Sequence, residues 1–185
     1  MPKKSAGLLL FRYASSAPNN IEVLLAHPGG PYWARKDEGA WTIPKGEIAD
    51  DEEPLAAARR EFEEEMGHPA EGEFVALEPL KQPSGKLVLA WAVLCDFDPA
   101  TLESNTFSME WPAGSGRQAQ FPEVDRAAWF PIETARRKIL KGQAPFLDQL
   151  LGKLPAIESD ARLAVHDAKP LPRRQRSLFD EESLP

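Results

Sequence analysis

Residues 46–67 read GEIADDEEPLAAARREFEEEMG, and this stretch decides what the rest of the chain must support. Leu55, the alanines after it and the run Arg59-Arg60-Glu61 are strong helix formers. Pro54 suits a first helical turn, Asp50 or Asp51 is placed to cap it, and Gly67 offers a left-handed stop. Within the predicted helix, Glu61, Glu64 and Glu65 stand at i, i+3 and i+4, so their carboxylates share one face. Leu55, Ala58, Phe62 and Met66 fall on a neighbouring arc suited to a core. Like charges at this spacing cost about 0.2–0.5 kcal/mol per pair in an isolated helix. Arg60, four residues before Glu64, offsets part of that. A hard divalent cation such as Mg²⁺ or Mn²⁺ would offset the rest, because it prefers carboxylate oxygen. A solvated acidic face is the ordinary reading of a charge run. It leaves the turn Pro44-Lys45-Gly46 and the glycine stop without a reason.

On either side the pattern is that of strands. Ser5 to Arg12 and Ile21 to His27 are rich in Leu, Ile and Val, with turn residues between them. A Pro/Gly-rich loop follows, carrying Tyr32, Trp33, Arg35 and Lys36; Trp41 to Ile43 then reads as a short strand ended by Pro44. Beyond Gly67, strands are predicted over Glu73–Leu80, Lys86–Phe97, Phe107–Trp111 and Val124–Phe130. Ile132–Leu140 and Phe146–Leu154 have helical spacing. Strands, one charged helix, more strands and then helices imply a mixed sheet with helices against it.

Composition bounds the function. The 185 residues, 42% hydrophobic and 28% charged, suit one globular domain with a tail. A net charge of −7, from 29 acidic against 22 basic residues, argues against general nucleic-acid binding. A small phosphorylated ligand remains compatible, since a bound divalent metal inverts the local sign. The apolar run Leu87–Cys95 is too short to cross a bilayer, and the first residues lack the form of a signal peptide. The lone Cys95 can form neither an internal disulfide nor a thiolate metal site, and His27, His68 and His166 show no ligand spacing. The expected location is cytoplasmic.

The spacing Gly46-x5-Glu52-x7-Arg60-Glu61-Phe62-x-Glu64-Glu65-x-Gly67 resembles the Nudix box, with His68 departing from the apolar residue expected at its last position. The resemblance to Nudix hydrolases implies an α/β fold, an α/β/α sandwich around a mixed sheet with a catalytic loop–helix–loop. It also implies hydrolysis of the diphosphate in a nucleoside diphosphate linked to a further group X. Glu61, Glu64, Glu65 and the Lys45 carbonyl then correspond to ligands of Mg²⁺ or Mn²⁺, and Arg60 and Glu52 to residues that orient those acids. The family often adds an acid from outside the box; Glu123 is the first candidate and Glu110 the second. Tyr32 and Trp33 are placed to stack on a base, with Lys45, Arg35, Lys81, Lys86 and Arg117 as phosphate partners. Dinucleoside polyphosphates, nucleoside triphosphates and ADP-ribose-like compounds all stay open. The Pro-Lys-Gly-Glu start resembles the polyphosphate branch, while Pro83 stands where ADP-ribose hydrolases carry a proline. The rival function is a catalytically idle module that senses a nucleotide. Retention of all three box acids favours the enzyme, and a mere docking helix would need neither Gly46 nor Gly67. Residues 1–154 are the expected Nudix domain and 155–185 a Pro/Arg-rich flexible tail. Within the tail, Gln175 to Phe179 resembles the Q-x-x-L-F peptide of bacterial sliding-clamp binders.

Overall fold

Ser5 and Ala6, then Leu8-Leu9-Leu10-Phe11, are buried on both faces, the mark of a strand at the centre of a covered sheet. In the computed structural model, which describes residues 3–14, 17–82 and 85–167, this strand is β1 (Lys4–Ala14). It runs parallel to β6 (Leu87–Leu94), from Lys4 opposite Leu87 to Phe11 opposite Leu94. Its other edge is shared. The second half of β1 pairs antiparallel with β2 (Ala17–Pro28), and the first half with β3 (Lys45–Glu47). Beyond β1 the β2 strand takes β9 (Val124–Pro131), while β4 (Phe74–Ala76) and β5 (Leu80–Lys81) both pair with β6. The result is a mixed seven-stranded sheet, with β7 (Thr106–Glu110) and β8 (Gln118–Pro122) forming a separate hairpin.

Even-numbered residues of β1, Ala6, Leu8 and Leu10, meet Ala57, Ala58, Phe62 and Met66 of α1 (Pro54–Met66), together with Leu24, Ala26 and Val93. Each large side chain in that layer contributes about 1.5–3 kcal/mol through removal from water. Odd-numbered Leu9, Phe11, Val23 and Leu25 are equally buried. The remaining helices are α2 (Ile132–Lys138) and α3 (Pro145–Asp167). This is the α/β/α architecture expected. The described residues fall into two units, divided between Lys153 and Leu154.

Several local expectations are corrected. Trp41–Ile43 makes only isolated bridges, Thr42 with Ala26 and Trp41 with Ile139, and the strand forms after Pro44. Pro44 does not end the pairing, because its carbonyl still accepts from Leu8 N–H at 3.1 Å. The cap of α1 is Glu53, whose carboxylate accepts from Ala56 N–H at 2.8 Å; Asp51 instead turns the chain at φ +62°. The predicted strand over Glu73–Leu80 is broken into β4 and β5, and β8 was not foreseen. Helix α3 continues through Pro155 to Asp167, past the expected end at Leu154. Pro83, His166 apart from its helical backbone, and Gln175–Phe179 lie outside what the described residues tell.

Candidate active site

The site begins where the sheet parts. Thr42 pairs with β2 through Ala26, and three residues later β3 pairs with β1, so the segment 42–47 wedges between diverging strands. That wedge brings Lys45 and Gly46 under the acidic face of α1. Lys45 N–H donates to Glu65 Oε2 at 2.9 Å. A Cβ built on Gly46 would lie 1.7 Å from Glu61 Oε2, so only glycine lets the Glu61 carboxylate lie against this backbone. At the far end of α1, Gly67 takes φ +84°, and its N–H closes the helix on the Glu63 carbonyl at 2.8 Å.

Arg60 organises the acids. Its Nε and Nη2 donate to the two oxygens of Glu52 at 2.8 and 2.9 Å, a bidentate pair. Its Nη1 donates to Glu61 at 2.8 Å and Glu64 at 3.2 Å, and Nη2 also reaches the Glu47 carbonyl at 3.1 Å. Glu52 additionally accepts from Ala49 N–H at 3.0 Å. Arg60 first, and this backbone bond second, hold the Glu52 carboxyl down at about 2. Glu61 and Glu65 go the other way. Removal from water is the largest cause for each; it raises Glu61 and pushes Glu65 up to about 8. Arg60 opposes the shift at Glu61, and Lys45 opposes it at Glu65.

Glu123 joins this group from the opposite side of the chain. Its negative charge is felt by both Glu61 and Glu65 and favours their protonated forms. Three backbone bonds hold it there. Asn105 N–H donates to the Glu64 carbonyl at 3.0 Å, Glu123 N–H to the Asn105 carbonyl at 2.8 Å, and Gly29 N–H to the Glu123 carbonyl at 2.9 Å. Glu110, the second candidate, accepts instead from Gly116 N–H at 2.7 Å within the β7–β8 loop.

Among the described residues, no three Asp, Glu, His or Cys side chains converge as a ready metal cage. Arg60 is paired with Glu61 and Glu64 together. The donor set nevertheless fits a hard cation. It is built of carboxylate oxygen, and Glu61, Glu65 and Glu123 repel one another at a position where added positive charge would relieve them.

The residues expected to hold substrate fall into two groups. Lys45 and Lys86 come together at the edge of the acids; burial first, and the Lys45 charge second, lower the pKa of Lys86, which also lies 3.7 Å from Glu47. Tyr32, Trp33 and Arg35 lie on the loop after β2. Trp33 carries the Lys36 ammonium 4.4 Å above its ring, Arg35 is exposed, and Tyr32 meets Trp111. Trp41 is core, packed on His27 and Phe130. Trp111 and Asn105 escaped the sequence reading, because neither stands in a recognisable spacing.

A family model described as the NUDIX domain matches residues 2–150. An RNA pyrophosphohydrolase of Hahella chejuensis is 42% identical over 54 residues, which cover 28% of this chain and 34% of that protein. The match therefore spans about a third of that curated relative's length. Among solved structures, an Ap4A hydrolase of C. elegans in a binary complex is similar at a TM-score of 0.58 and 22% identity, over 82% of this chain and 98% of that one. The NUDIX domain of Shewanella oneidensis NrtR complexed with ADP ribose gives 0.57 and 15%, over 83% and 89%. A mutT/nudix family protein of Listeria innocua gives 0.57 and 18%, over 88% and 99%. At these identities the structural likeness concerns the fold.

Proposed function

The chain belongs to the NUDIX family, and on that premise we propose that it is a metal-dependent diphosphohydrolase acting on a nucleoside diphosphate linked to a further group X. The observation that carries this reading is the gathering of Glu61 and Glu65 over the Lys45-Gly46 backbone, with Glu64 tied to Glu61 through Arg60 and Glu123 brought in from another loop.

Glu61, Glu64, Glu65 and the Lys45 carbonyl would hold Mg²⁺ or Mn²⁺. When bound, such an ion lowers the pKa of water and neutralises charge on phosphate oxygen. The chain's own part is positioning and proton transfer. Arg60, fixed by both oxygens of Glu52, sets the directions of Glu61 and Glu64. Glu123 accepts the proton of the attacking water. A water oxygen forms the new bond to phosphorus, the anhydride P–O bond breaks, and the departing phosphate carries the electron pair. Lys45, Lys86 and Arg35 neutralise the phosphates; Tyr32 and Trp33 face the nucleoside. Dinucleoside polyphosphates, nucleoside triphosphates and ADP-ribose-like compounds are the substrate classes in view, met in the cytoplasm. No described helix is long and apolar enough to cross a membrane. Contact of Gln175–Phe179 with a sliding clamp belongs to the same proposal, and unchanged clamp binding after deletion of residues 170–185 would remove it.

The test is phosphate release from a panel of those nucleotides with Mg²⁺ or Mn²⁺, beside a Glu64→Gln/Glu65→Gln double variant. Metal-dependent turnover at least 100-fold lower in the variant is expected. Absence of turnover on every compound, with the wild type folded and binding metal, would favour the nucleotide-sensing module instead.

A further inference from the structure

Two of the large aromatic side chains left exposed in the described residues touch each other. Tyr32 is 58% exposed and Trp111 37%, and their ring centroids lie 5.6 Å apart at an interplanar angle of 82°. They come from different elements: Tyr32 from the loop after β2, Trp111 from the tip of the β7–β8 hairpin. In an edge-to-face pair, one ring covers only one face of the other, so an open corner of aromatic surface remains. Leaving both rings in water forgoes burial that a purely structural pair would have taken.

The corner is rigidly built and tied to the acids. The loop is wound on itself by Trp33 and Ala34 N–H to the Gly30 carbonyl, both at 3.2 Å. Its far end is fixed by the buried His27, whose Nε2–H donates to the Lys36 carbonyl at 2.8 Å. Its near end lies directly on the end of β8: a Cβ on Gly29 would sit 1.9 Å from the Pro122 carbonyl oxygen. The hairpin tip is closed by Trp111 N–H to the Arg117 carbonyl at 2.9 Å. Glu123 follows Pro122 immediately and is bonded to Gly29, so one short backbone connection links the aromatic corner to the acidic group.

We propose that Tyr32 and Trp111 form the stacking corner for the nucleobase of the substrate, with Trp111 as a specificity-determining residue. The proposal rests on the hydrolase reading above and assigns its nucleoside subsite. Stacking uses the π-face that every base possesses, so the corner distinguishes nucleosides from bare phosphate chains more than one base from another.

Calorimetry of the full chain in Mg²⁺ tests this with two non-hydrolysable probes, α,β-methylene-ADP and its base-free counterpart methylenediphosphonate. The wild type is expected to bind the nucleotide about tenfold or more tightly than the diphosphonate. Trp111→Ala and Tyr32→Ala should each lose most of that preference, leave diphosphonate affinity unchanged and melt as the wild type does. Trp111→Phe should restore part of the preference. Equal weakening of both probes would show that the rings only hold the fold, and an unchanged preference would show that they touch no base; either overturns the proposal. Binding of both probes without preference by the wild type overturns it alone. Binding of neither overturns the hydrolase reading as well.

Discussion

At the scale of single residues, the site depends on contacts that tolerate no added atom. Gly46→Ala would drive a methyl into the Glu61 carboxylate, and a displacement of about 1 Å in a reacting group costs on the order of 100-fold in rate. A fall of that size in kcat, with melting behaviour close to wild type, is the expected result. Glu65 and Glu52 should give opposite pH signatures. Glu65 has its carboxyl raised from 4.5 to about 8, so the metal-free fold is favoured with it protonated. Its contribution is fully present below pH 4.5 and is lost as pH rises toward 8. Glu52 is lowered from 4.5 to about 2; its contribution is present above pH 4.5 and disappears as pH falls toward 2. Thermal melting in a chelator should therefore find Glu65→Gln more stable than wild type at pH 8, the advantage shrinking at pH 5. Added Mg²⁺ should shrink it too. His27 is a purely structural case: its two ring nitrogens meet Asp125 at 2.7 Å and the Lys36 carbonyl at 2.8 Å. His27→Ala strands both partners and is expected to cost about 2–3 kcal/mol in denaturant unfolding.

At the scale of elements, α1 has two duties on adjacent stripes. Ala57, Ala58, Phe62 and Met66 are buried against the sheet, and this packing holds the acid face in place. The Glu53 cap and the Gly67 stop set the helix ends. Gly67→Ala would place a Cβ 2.7 Å from that of Glu103 and force a side chain onto φ +84°. A loss of about 1–3 kcal/mol in unfolding free energy is expected, with activity falling as well, since Gly67 packs against the Glu103–Asn105 segment, which is bonded to the Met66 and Glu64 carbonyls and ties Glu123 to α1. The element boundaries most visible in the sequence were those set by backbone chemistry. Pro54 and Gly67 fix α1 by what their φ angles permit. The cap was misread because Asp50 and Asp51 are better intrinsic caps than Glu53, yet Glu53 alone directly precedes the first turn. Strand β8 was missed because Gln118–Pro122 is short, carries no β-branched residue and pairs only with β7, out of the main sheet.

At the scale of the whole molecule, the family match ends at residue 150, so deletion of residues 170–185 should leave phosphate release unchanged within about twofold; a larger loss would give the tail a part in catalysis. By itself the sequence determined the class of the sheet, the helix, and the identity and shared face of Glu61, Glu64 and Glu65. Those properties follow from local periodicity and from backbone angles that a few residue types permit. Tertiary structure decided the rest. The wedge of residues 42–47 between β1 and β2 set Gly46 against Glu61, and the bonds through Asn105 and Gly29 brought Glu123 to acids some sixty residues earlier in the chain. It also joined Tyr32 to Trp111 and engaged Glu110 in its own hairpin loop. These juxtapositions arise from strand pairing between distant segments, and no local spacing records which edges will meet.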